Sequence, residues 1–482
     1  MQSQELVKPG PNVLLILVDD LRPALGCYGD GTAISPNINA LASESMRFDR
    51  GYANQSVCAP SRINLMLGSR STSTGIYGFG KDFRDYYPDA VTLPEYFKKS
   101  GYHSESMGKV FHIGHGTYND GQSWSVPHHS DKVIEYKNPE STGGELTREE
   151  ALFNNESWEF ARSLPKGAAW ESPDVDDEDY ADGRTAEYAI GRLRVLGKKD
   201  KPFFMAVGFA RPHLPFSVPK KYWDLYDADH LPMPAFEKPP EGAPGYAVKR
   251  DGEIVQYKPI PQSSDSDPFP EEIKRNLIHG YYAGISYVDV QIGKVMKELE
   301  RLGLDENTIV VLWGDHGFHL GEMGIWTKHV NYEAANRIPL LIKVPEAILK
   351  DFKAGENTDQ FAETVDIYPT LTELAGLEEV DITQPFDGKS LVPALVNPLD
   401  GDRDHAYHCY PRGGRMGRAI RTERYRLVEW KKIGEASETA EMELYDYKDS
   451  EVEKRNISDE NPEVVARLRA ILNQYPEALT GR

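Results

Sequence analysis

The run Asn12 to Val18 (NVLLILV), closed by the adjacent aspartates Asp19 and Asp20, constrains the fold more than any other stretch. A continuous apolar segment of strand length fits a central strand buried on both faces. Such strands belong to open, mostly parallel sheets, which place their ligands just beyond the strands' carboxyl ends. The pattern recurs. Phe203 to Phe209 (FFMAVGF) leads into Arg211-Pro212-His213, and Thr308 to Trp313 (TIVVLW) leads into Gly314-Asp315-His316-Gly317. Leu340 to Val344 is a further short strand. Helical spacing lies between these runs, at Ser61 to Leu67, Tyr180 to Val195, Gly284 to Leu302 and Val365 to Leu374. The alternation predicts an α/β fold with a large, mostly parallel central sheet.

With 482 residues the chain has room for more than one lobe. Its texture changes near residue 400, which divides it into an N-terminal domain, 1–399, and a small C-terminal α+β subdomain, 400–482. In the latter, Arg418 to Trp430 and Met442 to Tyr447 read as antiparallel strands, with a bend near Arg424-Tyr425 and a terminal helix from Pro462 to Gln474. Pro127 to Asp182 and Pro239 to Asp267 read as long loops. Asp174, Asp176 and Glu178 lack the glycine and closing glutamate of an EF-hand and read as a solvated face. Three cysteines are too few and too odd in number for a disulfide framework. Cys27 and Cys409 could pair if they met, and read better as buried thiols. No apolar run approaches the roughly 20 residues needed to span a bilayer. The first residues, Met-Gln-Ser-Gln-Glu, lack the basic start and apolar stretch of a signal peptide. A net charge of −21 argues against nucleic acid as a partner.

Asp19-Asp20 and Asp315-His316 each follow a core strand. Either pair alone reads as a helix cap or a surface charge. Together, at the ends of two core strands, they make a candidate cation site, because adjacent carboxylates repel unless a cation lies between them. Carboxylate-rich ligation suits calcium or magnesium, and one histidine among several aspartates is a poor zinc site. A lone cysteine such as Cys58 is most often a small packed hydrophobe. Its neighbourhood changes that reading.

Cys58-Ala59-Pro60-Ser61-Arg62 resembles the signature of the type I, formylglycine-dependent sulfatases. The rest of that family's pattern follows in order: Gly108-Lys109-Val110-Phe111-His112, Arg211 to Phe216 (RPHLPF), and Gly314 to Glu322 with Trp326-Thr327-Lys328. The wide Lys109–His112 spacing, His316 where many members have asparagine, and Met416 to Thr422 are similar to the iduronate-2-sulfatase-like branch. The resemblance implies an alkaline-phosphatase-like sandwich and hydrolysis of sulfate esters. It implies that a formylglycine-generating or sulfatase-maturing enzyme oxidises Cys58 to formylglycine, whose hydrate attacks sulfur. Asp19, Asp20, position 58, Asp315 and His316 would hold calcium, with magnesium second. Arg62, Lys109 and Lys328 would neutralise the sulfate oxygens. His213 would protonate the departing alcohol, and His112 would take the proton of the second hydroxyl as sulfate is expelled. The implied substrate is a sulfated sugar attacked from a chain end, in a glycosaminoglycan or an algal polysaccharide such as ulvan. The implied compartment is the periplasm or the outside of the cell, with a leader replaced by a start methionine.

A sulfated substrate is an anion, so the pocket must be locally positive in an acidic chain. Arg412 and Arg415 flank the apex Arg412-Gly413-Gly414-Arg415, and either could bind a carboxylate or second sulfate; a solvated strand edge fits them equally. Two other functions compete. One is a phosphatase or phosphodiesterase on the same scaffold, which would generally use serine or threonine with two metals. The other is a non-catalytic binder of sulfated glycans that keeps its cysteine.

Overall fold

The computed structural model describes residues 10–117, 119–249, 251–262, 268–401 and 403–481. The reading of the first five residues lies outside them. Seven strands form the main sheet: β1 (Asn12–Val18), β2 (Met46–Tyr52), β3 (His103–Gly108), β5 (Phe203–Phe209), β7 (Thr308–Gly314), β8 (Leu340–Lys343) and β9 (Asn357–Glu363). Their order is β3-β5-β1-β7-β8-β2-β9. The pairs β3–β5, β5–β1, β1–β7 and β2–β9 are parallel, and β8 runs antiparallel to both neighbours. A two-stranded pair, β4 (Trp170–Glu171) and β6 (Phe216–Ser217), lies apart from it.

Alternation along β1 explains the layering. Leu14, Ile16 and Val18 join one apolar cluster with the helix Glu271–Arg301, through Tyr281, Ile285 and Val288. Val13, Leu15 and Leu17 join the other, with Leu65 of the helix Cys58–Leu67 and Leu371 of the helix Ile367–Leu374. The sheet is thus covered on both faces, which is why its inner strands need no polar side. The fold is alkaline-phosphatase-like, with a second, antiparallel sheet after residue 400. That sheet runs β10 (His405–Arg412), β11 (Arg415–Thr422), β12 (Tyr425–Lys432) and β13 (Glu441–Asp446), in that order. The expected Arg418 to Trp430 stretch is the β11–β12 hairpin, turning at Glu423-Arg424. The terminal helix Pro462–Leu472 packs Leu468 on Leu427 and Leu444, and Leu472 on Tyr407 and Ile420.

Several elements exceed the sequence reading. β3 (HSESMG) has no apolar run, yet all but its first residue are buried, because partners elsewhere satisfy its polar groups. Ser104 Oγ donates to the Ser123 carbonyl at 3.0 Å, and Glu105 pairs with Arg192 at 2.9 Å. The helix expected from Gly284 begins at Glu271, directly after Pro270. The expected loop over 127–182 contains the short helices Arg148–Phe153 and Trp158–Ser163. Among the described residues Cys27 and Cys409 do not pair; Cys409 is a buried thiol and Cys27 a half-buried one. No described helix is long and apolar enough to cross a membrane.

Candidate active site

The parallel strands deliver their carboxyl ends to one edge of the sheet. β1 delivers Asp19 and Asp20, β7 delivers Asp315 and His316, β3 delivers Lys109 and His112, and β5 delivers His213. Asp20 turns the chain at φ 57°, and its N–H donates to Asp315 Oδ1 at 3.0 Å. The N–H of His316 donates to the same oxygen at 2.9 Å. The helix Cys58–Leu67 starts at this edge, is buried along its whole length, and places Cys58 in its first turn. Cys58 Sγ lies 3.1 Å from His316 Nε2. The other ring nitrogen, Nδ1, lies 3.0 Å from the Gly317 carbonyl. A carbonyl only accepts, so Nδ1 carries the proton and the Nε2 lone pair faces Cys58.

One turn on, Arg62 is fully buried. Its Nε donates to Asp315 Oδ2 at 2.9 Å, Asp19 lies 3.8 Å away, and Nη1 donates to the carbonyls of Lys109 and Val110. Its guanidinium therefore ties the helix that begins at Cys58 to the Lys109 segment. Lys109 Nζ rests on Asp19, and Lys328 Nζ lies 3.1 Å from Asp20. Burial alone would raise the Asp19 carboxyl, but Lys109, His213 and Arg62 outweigh it and hold it well below the usual range. Burial and the Asp19 charge instead push Asp315 well up, and burial, only partly offset by Lys328, lifts Asp20 to about 7. Burial and then Asp19 raise the Cys58 thiol well above its ordinary value. As encoded, Cys58 is a neutral thiol and a poor nucleophile.

The donor set suits a hard divalent ion. Ligand atoms of Asp19, Cys58, Asp315 and His316 all lie within 4.8 Å of one another, as do those of Asp19, Asp20, Cys58 and His213. Both Asp19 oxygens and Asp20 Oδ1 are buried, and among the described residues they have ion pairs with Lys109, Arg62 and Lys328 but no hydrogen bond of regular geometry. The charge balance points the same way. Three buried aspartates face Arg62, Lys109 and Lys328, and Glu253 adds a carboxylate 3.1 Å from Lys328. With every carboxyl ionised the set is one negative charge in excess. A divalent cation would take the place of the protons that the raised Asp20 and Asp315 carboxyls hold, leaving one positive charge to meet a sulfate monoester.

Above Cys58 opens a cavity of about 300 Å³, lined in part by His112, His213, Lys328, His329, Glu149 and Glu253. His112 Nδ1 is buried without a hydrogen-bond partner among the described residues, and its ring packs 4.8 Å from Phe79. Burial first, then Lys109, holds His112 well below its ordinary pKa. Every sequence-selected candidate except the two apex arginines therefore meets around position 58. Arg412 adjoins the cavity, donating through Nη2 to the His329 carbonyl. Arg415 does not. It lies over the Tyr246 ring and 3.7 Å from Glu441, across a turn of two left-handed glycines from its strand partner Arg412. Of the two readings of Arg415, this placement matches the strand edge, and the anion-binding alternative falls to Arg412. Glu149, Glu253, His115 and His329 were missed. They lie in segments read as loops, or beside a chosen residue, and carry no local pattern.

A mostly parallel sheet gathering carboxylates, fixed cations and histidines around one buried helix start defines a hydrolase of the alkaline-phosphatase-like class. Comparison makes this specific. The family model described as Sulfatase matches residues 11–377, and that described as N-sulphoglucosamine sulphohydrolase, C-terminal, matches residues 321–478. The chain is similar to iduronate 2-sulfatase of Mus musculus, 36% identical over 394 residues, covering 76% of this chain and 69% of that protein. It is also similar to a sulfatase of Formosa agariphila, 31% identical over 436 residues, covering 87% and 79%. In fold it matches a phosphonate monoester hydrolase from Silicibacter pomeroyi, with a TM-score of 0.71 at 23% identity, covering 96% and 95%. The chain belongs to the sulfatase family and is a sulfuric ester hydrolase.

Proposed function

We propose that this sulfatase removes sulfate from a terminal sugar of a sulfated carbohydrate, a glycosaminoglycan or an algal polysaccharide such as ulvan. It would act in the periplasm or outside the cell, through formylglycine at position 58 and a divalent cation, calcium before magnesium. The observation that carries this reading is the placement of Cys58, at a helix start and a cavity floor, 3.1 Å from His316 within the acidic cluster. The name of the mouse relative supports a sugar substrate. A cavity of about 300 Å³ suits a chain end.

Asp19, Asp20, Asp315 and His316, with position 58, would hold the cation. When present, the aldehyde hydrate supplies a nucleophilic hydroxyl and the cation a Lewis acid. The chain's own residues do the rest. Lys109 and Lys328 bind sulfate oxygens, and Arg62 keeps Lys109 and the helix start in register. Fixed positive charge of this kind, aimed where charge develops, is usually the largest catalytic contribution. His213 Nδ1 donates to the Leu214 carbonyl at 2.5 Å and Nε2 faces Glu253, so His213 protonates the departing sugar oxygen from its imidazolium form, which the Glu253 carboxylate favours. His112, whose Nδ1 has no hydrogen-bond partner among the described residues, accepts the proton released as sulfate leaves. Arg412 binds a second anionic group of the substrate.

The test is Cys58→Ser and Cys58→Ala in protein co-produced with a maturing enzyme. Sulfate release should vanish in both, and the intact mass of the unsubstituted protein should report conversion of the thiol to the aldehyde. Turnover near the wild-type rate in either variant would overturn the reading. Aryl phosphate and phosphonate esters serve as comparison substrates, since a protein of this fold is a phosphonate monoester hydrolase.

A further inference from the structure

The lining of the cavity above Cys58 is mixed in charge. Its floor is cationic, as an anionic ester requires, yet two carboxylates line the wall. Glu253 stands on the short turn Glu253–Gln256, with Oε2 3.1 Å from Lys328 Nζ and 3.4 Å from His213 Nε2. Its Oε1 accepts a hydrogen bond from Tyr257 at 3.1 Å. Glu149, on the helix Arg148–Phe153, is only 4% exposed. Its Oε2 has no hydrogen-bond partner among the described residues, and His115 Nε2 lies 3.8 Å away. Phe79, Phe153 and Trp158 line the same cavity, and Trp158 is half exposed at 52%.

A buried carboxylate without a donor is costly. Burial, and then the Glu253 charge, push Glu149 up to about 8, so a ligand donor that meets its unpartnered Oε2 also restores the carboxylate's charge. Neither carboxylate serves the sulfate group, which each would repel. Glu253 adjoins His213, the residue assigned to the departing oxygen, so both glutamates face whatever the sulfate is attached to. We propose that Glu253 and Glu149 form the leaving-group wall of the site and select esters whose group beside the sulfate carries hydrogen-bond donors, a hydroxyl or an ammonium, against esters bearing a second anion there. This rests on the sulfate-binding role of the floor given above, and it sets the chemistry opposite to the Arg412 side. The substrate is then a sulfate ester with free hydroxyl or amino groups towards Glu149, and any further negative charge lies towards Arg412.

Four small esters test it: ethyl, 2-hydroxyethyl, 2-aminoethyl and 2-carboxyethyl sulfate. Their dissociation constants are measured by ligand-observed NMR, which needs no turnover. The hydroxyl and ammonium esters should each bind about tenfold tighter than ethyl sulfate, the size of one hydrogen bond to a charged group. The carboxylate ester should bind more weakly than ethyl sulfate. The two donor esters separate the sources: a hydroxyl preference marks a neutral sugar, an ammonium preference an amino sugar. In Glu149→Gln, and in Glu149→Gln with Glu253→Gln, the donor advantage should shrink to roughly twofold, as expected when a hydrogen bond loses its charged partner. The ratio between esters is the readout, because damage to the fold lowers all four alike. Equal affinities in the unsubstituted protein, or a donor preference that survives both substitutions, would overturn the proposal. Hydrolysis of 4-nitrophenyl sulfate, followed in parallel, tests the catalytic reading separately; its failure with the affinity order intact would leave the carboxylate wall standing.

Discussion

His213 illustrates how single side chains acquire roles here. Its Nδ1 is bound to a backbone carbonyl and its Nε2 faces Glu253, so one nitrogen is structural and the other available. Burial holds its pKa well below the ordinary value, and Glu253 opposes that shift. General-acid catalysis is worth roughly 10² to 10⁴ in rate when the leaving group needs a proton. His213→Asn should therefore lower kcat on a sugar sulfate by about that factor. The loss on 4-nitrophenyl sulfate should be far smaller, because nitrophenolate departs unprotonated. Equal losses on both substrates would assign His213 a positioning role instead. The site residues were legible where a motif surrounds them. His213 stands in such a motif, whereas Glu253 has none and is recognisable only beside Lys328, 75 positions away in the chain.

Among the elements, the ends of β3 and β5 are the most demanding. Gly108 and Gly208 are register partners on these parallel strands. A Cβ on Gly208 would lie 2.0 Å from the Lys109 carbonyl oxygen, and one on Gly108, which has φ 70°, would lie 2.1 Å from that of Gly208. This close approach brings the Lys109–His112 segment beside the one that carries His213. Gly208→Ala should cost about 1–3 kcal/mol of stability, the usual penalty of overpacking. By displacing Lys109 it should also cost on the order of 10² in kcat. Thermal unfolding and steady-state kinetics check both, and an unaltered kcat would remove the positioning argument. Legibility of the elements followed their chemistry. β1, β5 and β7 are uniformly apolar and announce themselves, whereas β3 is buried through hydroxyls and a carboxylate whose partners lie elsewhere in the chain.

For the molecule as a whole, the joint between the two sheets holds a buried charge cluster beside the apolar contact of Tyr52, Phe361 and Ala406. Glu363, at the end of β9, accepts from the N–H of Tyr407 on β10 at 3.0 Å and pairs with Arg70 at 2.8 Å and Arg403 at 2.7 Å. Burial would raise its carboxyl, but Arg403 and Arg70 outweigh this and bring it down to about 2 from an ordinary 4.5. A depressed carboxylate stabilises the fold above its unfolded pKa, and that contribution is lost as pH falls through the folded value. Glu363→Gln should therefore destabilise the protein near neutral pH by about 3–5 kcal/mol, as when a buried pair loses one partner. The difference between variant and parent should close as pH drops from 4.5 towards about 2. A melting-temperature difference that stays constant across that range would contradict the assignment.

The apolar runs dictated a mostly parallel sheet, and the ordered motifs marked most of the groups around Cys58, because both signals are local and survive in one dimension. The β8 reversal, the polar strand β3, the placement of Arg415 beside Tyr246 and Glu441, and the two glutamates facing the cavity followed only from folding. Each depends on a partner remote in the chain, and such partners become neighbours only when the strands have been brought to one edge.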